Sequence, residues 1–178
     1  MDSHVFSTSA QCSGPGKIVY LWLSPSDRLP QLPFDRPFRV VVVSELHPGP
    51  TRRSDICEWL VESGCRYMMA WGKEASSWDD SMDWTALERS GYAVDIESDD
   101  FIVTTWHDDQ PLSEVFDFAA NLAKHPTLAL EDLLVLHLAH NAAPEDVLAP
   151  MRRSSVERLT MDQVEVISQP EAAPASSQ

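Results

Sequence analysis

Tryptophan and aspartate residues cluster in two short stretches whose side chains could bind or react. The first, MMAWGKEASSWDDSMDW at residues 68–84, contains three tryptophans and three aspartates. The second, TTWHDD at residues 104–109, places His107, Asp108 and Asp109 directly after Trp106. Indole faces attract cations by about 0.5–2 kcal/mol, and carboxylates bind cationic groups and hard metal ions. Both stretches therefore indicate a site for something positively charged.

A cationic ligand or a basic protein surface is the first interpretation of these residues. In this interpretation the indoles of two strand-end tryptophans form a platform, and the nearby carboxylates surround it. The residues predicted to bind are Trp71, Trp78, Asp79, Asp80, Asp83, Trp106, His107 and Asp108. Trp78 and Trp84 also fit the packing face of a helix. A module of this kind binds a partner without catalysis, and we predict no catalytic residue for it.

A divalent metal ion is the second interpretation of the same residues. The clustered aspartates and His107 offer mainly oxygen ligands, which select Mg²⁺, Ca²⁺ or Mn²⁺ rather than zinc. A bound ion could activate water, which would make the protein a metal-dependent hydrolase. The spacing matches neither an EF-hand loop nor an H-E-x-x-H motif, so the sequence leaves the metal ligands unknown and catalysis open.

Helix capping is the third interpretation, and it involves no ligand. Ser77 and Asp80 have the spacing of a capping box, and Asp79 and Asp80 would then lie in the first turn of a helix. Asp108 and Asp109 precede Pro111 and could cap the next helix in the same way. These contacts alone would explain four of the acids.

Other catalytic and cofactor motifs are absent from the sequence. There is no G-x-S-x-G, G-x-x-x-x-G-K-[ST] or G-x-G-x-x-G motif, and only six glycines could let the backbone approach a phosphate. We therefore predict no nucleotide cofactor. The three cysteines include no C-x-x-C pair, and we expect Cys57 and Cys65 to be small apolar core residues. His137 and His140 fit a core histidine and a surface histidine.

The charge of the chain is strongly and unevenly negative. The formal net charge is −15, and residues 73–117 alone carry thirteen acidic and two basic side chains, a net charge of −11. Such a field repels phosphate backbones, so we predict no nucleic-acid binding. It attracts basic proteins and small cations, or it only keeps the protein soluble. The apolar runs are too short to span a membrane and the N-terminus lacks a secretory signal, which predicts a cytoplasmic protein.

Strands and helices alternate along the chain. The run FRVVVVSE is apolar on both faces, which is typical of a parallel sheet covered by helices. Helical patterns at residues 51–64, 76–91 and 111–125 separate it from the later strands RYMMAW, DFIVTTW and DLLVLHLA. This order predicts an α/β three-layer sandwich with a mostly parallel sheet of about five strands, Rossmann-like or flavodoxin-like without a nucleotide loop. The strand KIVYLWL fits an edge position, in either orientation.

The predicted boundaries divide the chain into three parts. We expect a disordered N-terminus at 1–15, a single α/β domain at 16–141, and a C-terminal extension at 142–178 that is disordered from about residue 168. Ligands of such sheets bind beyond the carboxyl ends of the strands. Because RYMMAW ends in Trp71 and DFIVTTW ends in Trp106, we expect both tryptophans on one rim.

Three further segments carry a family resemblance. These are EWLVESGCRYMMAWGKEASSWDD, then FIVTTWHDDQPLSEVF, then the step from His125 through Pro126 to Thr127. Together they resemble a bacterial domain family of unknown function, over about 100 residues of the chain. The resemblance implies a bacterial origin and an α/β domain. It implies no catalytic residue, because the family has no assigned activity.

Overall fold

The computed structural model describes residues 16–93, 98–153 and 164–167. Six strands and four helices lie within them. The strands are β1 (Ile18–Leu23), β2 (Phe38–Ser44), β3 (Cys65–Gly72), β4 (Val103–His107), β5 (Asp132–Leu138) and β6 (Val164–Ile167). The helices are α1 (Pro50–Glu62), α2 (Ala75–Arg89), α3 (Leu112–Asn121) and α4 (Pro144–Arg153). None of these helices is long and apolar enough to cross a membrane.

All strand pairs are parallel, in the order β4-β3-β2-β5-β1-β6. The α/β fold with a parallel sheet is therefore confirmed, although the sheet has one strand more than expected. The edge position predicted for KIVYLWL is wrong, because β1 lies between β5 and β6 and is parallel to both. Its burial on both faces, with Val19 and Tyr20 almost fully covered, agrees with an interior strand.

Two hydrophobic cores lie on opposite faces of the sheet. Alternation along β2 sends Val40 and Val42 into one core and Val41 and Val43 into the other. Helices α1 and α2 cover the first core, and α3 and α4 cover the second. The result is three layers, with helices on both sides of one sheet.

The sheet extends beyond residue 141, where we predicted the domain to end. Helix α4 packs against α3, and β6 pairs with β1 from Ile18 to Leu21. Both elements were difficult to predict, because α4 contains Pro150 and β6 has only four residues. The predicted disordered segments, 1–15 and from 168 onward, lie outside the described residues.

The direction of the connections reverses between β2 and β5. The chain leaves β2 toward α1 on one face, whereas it leaves the neighbouring β5 toward α4 on the other face. The two connections diverge at the carboxyl ends of the strands. In doubly wound sheets this reversal opens a crevice in which ligands commonly bind.

Candidate functional site

Strands β3 and β4 end side by side, as the sequence predicted for their tryptophans. Trp71 pairs with His107, and Ala70 pairs with Trp106. Trp71 and Trp106 therefore occupy alternate positions and point to opposite faces of the sheet. The Trp71 indole packs over the α3–α4 core, and its Nε1 donates a hydrogen bond of 2.7 Å to the Gln110 carbonyl. The two indoles therefore do not form one platform.

Trp106 lies on the α2 side of β4, and its side chain is 53% exposed. The preceding residue on that side, Thr104, donates a hydrogen bond of 3.1 Å from Oγ1 to Oδ1 of Asp83 in α2. This contact fixes β4 against α2. Trp106 follows two residues later on the same side of β4.

His107 is buried on the other side of β4 and holds the β4–α3 connection. Its Nδ1 lies 3.1 Å from Oε1 of Gln110, and its Nε2 lies 3.0 Å from Oγ1 of Thr105. The ring also contacts the edge of Phe118, with 4.9 Å between centroids. Both nitrogens are used within the fold, so His107 acts here as a structural residue. Asp108 follows it in an exposed bend.

The capping interpretation of the acids is wrong. Helix α2 begins at Ala75, two residues before Ser77, and α3 begins at Leu112 after Pro111. Neither N-cap residue makes a side-chain capping hydrogen bond, and the first turn of α2 holds no acidic residue. Asp79 and Asp80 lie in the second turn, where a carboxylate caps nothing. Another reason is needed for these carboxylates.

The side chains of Trp78 and Asp79 are both buried and lie in the same turn of α2. Trp78 is fully buried in the core beneath α1 and α2. Asp79 is 9% exposed, and its Oδ1 is buried with no hydrogen-bond partner among the described residues. A buried polar group without a partner costs about 1–3 kcal/mol, and more if it is charged. A carboxylate at such a position is more typical of a functional site than of a residue with a purely structural role.

Asp79, Asp80, Asp83, Thr104 and Trp106 together form what we call the α2–β4 face. The helical spacing of Asp79 and Asp83, four residues apart, puts both on the side of α2 that meets Thr104. Since α2 runs back from the end of β3, Asp79 lies toward the end of β4 that carries Trp106. Asp80 is exposed beside them.

The carboxylates of this face repel one another. Partial burial raises the pKa of Asp83, and the negative charges of Asp79 and Asp80 raise it further, while the hydrogen bond from Thr104 opposes the shift. The charged form of Asp83 is thus less favoured in the folded protein than in the unfolded chain. A bound cation would relieve this repulsion.

The metal interpretation requires several ligands to converge. Among residues 16–93, 98–153 and 164–167, no group of three histidine, cysteine or acidic side chains is arranged to hold a metal ion. Cys57 and Cys65 are buried free thiols, and burial raises the pKa of each to about 12. Both are core residues, as predicted, and neither is an activated nucleophile.

A polar network that joins Tyr20 of β1, His137 of β5 and Glu45 just after β2 was missed by sequence reasoning. Oη of Tyr20 lies 2.8 Å from Nδ1 of His137, which is completely buried. Nε2 of His137 lies 3.2 Å from Oε1 of Glu45, although the two are not aligned for a hydrogen bond. The available signal was a single histidine in the apolar run VLHLA. It identified His137 as a core residue, but it could not identify its partners, one on β1 and one just after β2.

Comparison with known proteins identifies a family but no activity. A family model described as "Domain of unknown function (DUF7684)" matches residues 18–154. The match covers β1 to α4 and includes all the residues of the α2–β4 face. No curated protein and no solved structure matches the chain.

Proposed function

We propose a function for this chain, which belongs to the DUF7684 family of domains of unknown function: it is a non-catalytic binding module that holds a basic, extended segment of a partner protein on the α2–β4 face. The central observation is that the carboxylates of Asp79 and Asp83 lie one turn apart on the β4 side of α2, where the hydrogen bond from Thr104 compensates only Asp83. They do not cap α2, Oδ1 of Asp79 has no partner among the described residues, and the pKa of Asp83 is raised.

The exposed indole supports a cationic partner. Trp106 lies on the same side of β4 as Thr104, which contacts Asp83. A lysine or arginine over this ring would gain about 0.5–2 kcal/mol from the cation–π interaction, while its charge offsets the neighbouring carboxylates. The surrounding segment, residues 73–117 with a net charge of −11, adds a long-range field that attracts basic chains.

The position of β4 supports an extended partner. Strand β4 is an edge strand of the sheet, and within the described residues it pairs only with β3. Its outer backbone groups can therefore form hydrogen bonds with an added strand, while alternate side chains of that strand reach the α2 side. The partner would form main-chain hydrogen bonds along β4 and place its basic side chains against the carboxylates of the α2–β4 face.

The hydrolase alternative has no comparable support. It needs a set of metal ligands, and the part of the chain that the structure describes brings no such set together. His107, the one histidine proposed for it, uses both ring nitrogens within the β4–α3 connection. No observation on this face favours bond cleavage over binding.

The proposal is tested with a strand-forming cationic peptide of alternating valine and lysine, titrated into the full chain by calorimetry. The triple variant Asp79→Asn, Asp80→Asn, Asp83→Asn should weaken binding at least tenfold. Trp106→Ala should weaken it by about threefold to thirtyfold, which lies within the cation–π range of about 0.5–2 kcal/mol.

Matched controls separate a specific face from general negative charge. Asp55→Asn, Glu58→Gln and Glu62→Gln remove the same charge from exposed positions of α1. Trp84→Ala removes an indole that is 61% exposed elsewhere on α2. These variants should change the affinity less than threefold. Equal weakening by the α1 variant, or binding of the matching valine–glutamate peptide, would overturn the proposal.

A further inference from the structure

A cavity of about 290 Å³ opens at the crevice where the connections after β2 and β5 diverge. Its walls come from the carboxyl ends of three strands: Leu23 to Pro25 after β1, Leu46 to Gly49 after β2, and Leu138 with His140 after β5. Arg52 and Ile56 of α1 complete the lining. No residue of the α2–β4 face contributes to this cavity. It is slightly smaller than the roughly 300–1,000 Å³ typical of pockets for drug-sized ligands.

The guanidinium of Arg52 is the one arginine or lysine charge in the lining, and within the described residues no carboxylate lies at ion-pair distance from it. Its Nη2 donates a hydrogen bond to the main-chain carbonyl of Asp27, which is a neutral partner. The next residue, Arg53, shows the contrast, because its Nη1 lies 3.0 Å from Oε2 of Glu74. In a chain of net charge −15, a guanidinium without a carboxylate beside a cavity points to an anionic ligand.

The remainder of the lining indicates how such a ligand would lie. Leu23, Ile56 and Leu138 are buried and form an apolar wall. Gly49 and Arg52 bracket the first turn of α1. The N-cap residue Gly49 has no side chain that could cap this turn, so within the described residues its backbone N–H groups can add to the attraction for an anion. His47 and His140 lie exposed at the opening.

We propose that this crevice binds a small organic carboxylate, with its carboxylate group on Arg52 and the first turn of α1 and its apolar body against Leu23, Ile56 and Leu138. A planar carboxylate matches the fork of one guanidinium. A phosphate fits less well, because Pro50 removes one N–H group from the turn and the loop offers only Gly49 for a close backbone approach. This site is separate from the α2–β4 face, so either can fail without the other.

The test is a titration of the ¹⁵N-labelled full chain with benzoate, cyclohexanecarboxylate and octanoate, followed by amide shifts. At least one carboxylate should give saturable shifts confined to the segments around Ser24, Leu46 to Arg52 and Leu138 to His140. Benzamide, which has the same ring without the charge, should bind at least tenfold more weakly. Inorganic phosphate should give no saturable shifts at 10 mM.

Two variants make the assignment specific. Arg52→Gln should raise the dissociation constant at least tenfold, and Arg52→Lys, which keeps the charge, should raise it less. Arg89→Gln, which removes the same charge at the far end of α2, should leave it within twofold. The proposal is overturned if no carboxylate gives saturable shifts at 10 mM, if benzamide binds equally well, if phosphate alone binds, or if Arg52→Gln and Arg89→Gln behave alike.

Discussion

At Asp83, burial and the carboxylates of Asp79 and Asp80 raise the pKa, so the charged form is less favoured in the folded protein than in the unfolded chain. Groups that a fold keeps at the expense of its own stability are frequent at functional sites. The clustering of these three acids in the sequence predicted a site at this position. It could not distinguish capping from binding, because that depends on whether the N-cap of α2 is Glu74 or Ser77.

Neutralising Asp83 should stabilise the free protein. A raised carboxyl pKa means that wild-type stability falls as the pH rises through that pKa. We expect Asp83→Asn to increase the free energy of unfolding at pH 7 by up to about 0.5 kcal/mol, since Asn can still accept the Thr104 hydrogen bond. The gain should disappear below the ordinary aspartate pKa of about 3.9. Urea unfolding at several pH values checks this, and a loss of stability at pH 7 would indicate a structural role instead.

Asp132 should show the opposite dependence. Burial pushes its pKa upward, but hydrogen bonds from Arg36 and from the Lys17 backbone outweigh burial and lower the pKa. We expect Asp132→Asn to destabilise the protein by about 1.5–3 kcal/mol at pH 7, because Arg36 loses a bidentate partner. The difference should shrink as the pH falls from about 3.9 through the lowered folded pKa.

Glu131 provides the control for this measurement. Its Oε2 also lies 2.8 Å from Nη1 of Arg36, but its side chain is 45% exposed. Glu131→Gln should therefore cost less than about 1 kcal/mol in the same urea titration. Equal losses for the two variants would show that burial of Asp132 does not determine the strength of the interaction.

At the scale of elements, the turn between β3 and α2 sets where the acidic helix begins. Gly72 has φ +91°, and a Cβ at this position would lie 2.4 Å from the Ser44 carbonyl oxygen at the end of β2. The Lys73 N–H donates a 2.7 Å hydrogen bond to the same oxygen. Glu74 then takes a left-handed conformation, and its carboxylate reaches Arg53 of α1. The start of α2 is thus fixed by tertiary contacts, which explains why a local capping pattern misplaced it.

Adding a methyl group at Gly72 should therefore be more harmful than at a glycine with a similar φ. Gly64 has φ +98° with open space around its Cβ position. We expect Gly64→Ala to cost about 1–2 kcal/mol from backbone strain alone. Gly72→Ala should cost at least about 1 kcal/mol more, because the backbone of β2 must also move. Urea unfolding of both variants measures the difference, and equal losses would contradict a role for the Ser44 contact.

For the whole molecule, the sequence predicted the class of fold and the order of its main elements, because long apolar runs and helical periodicity are local signals. It could not place β1 between β5 and β6, since strand order depends on contacts across more than 100 residues. It placed Trp71 and Trp106 at adjacent strand ends but not on one face, because the relative register of β3 and β4 decides which side each indole takes. The cavity beside Arg52 was missed because its lining comes from segments after β1, β2 and β5, which are distant in sequence.

The distribution of charge is also a property of the whole molecule. The α2–β4 face lies within the segment of net charge −11, whereas Arg52 at the crevice has no carboxylate partner among the described residues. One molecule thus presents an acidic edge and a separate anion-attracting crevice. Binding of a basic segment at the edge should depend strongly on salt, because most of the attraction is long-range.

The most direct measurement is the affinity of the valine–lysine peptide for two triple variants of equal net charge. One variant neutralises Asp79, Asp80 and Asp83, and the other neutralises Asp55, Glu58 and Glu62. We expect the first variant to bind at least tenfold more weakly than the wild type and the second to bind within threefold of it. Equal affinities of the two variants would contradict a basic-segment site on the α2–β4 face.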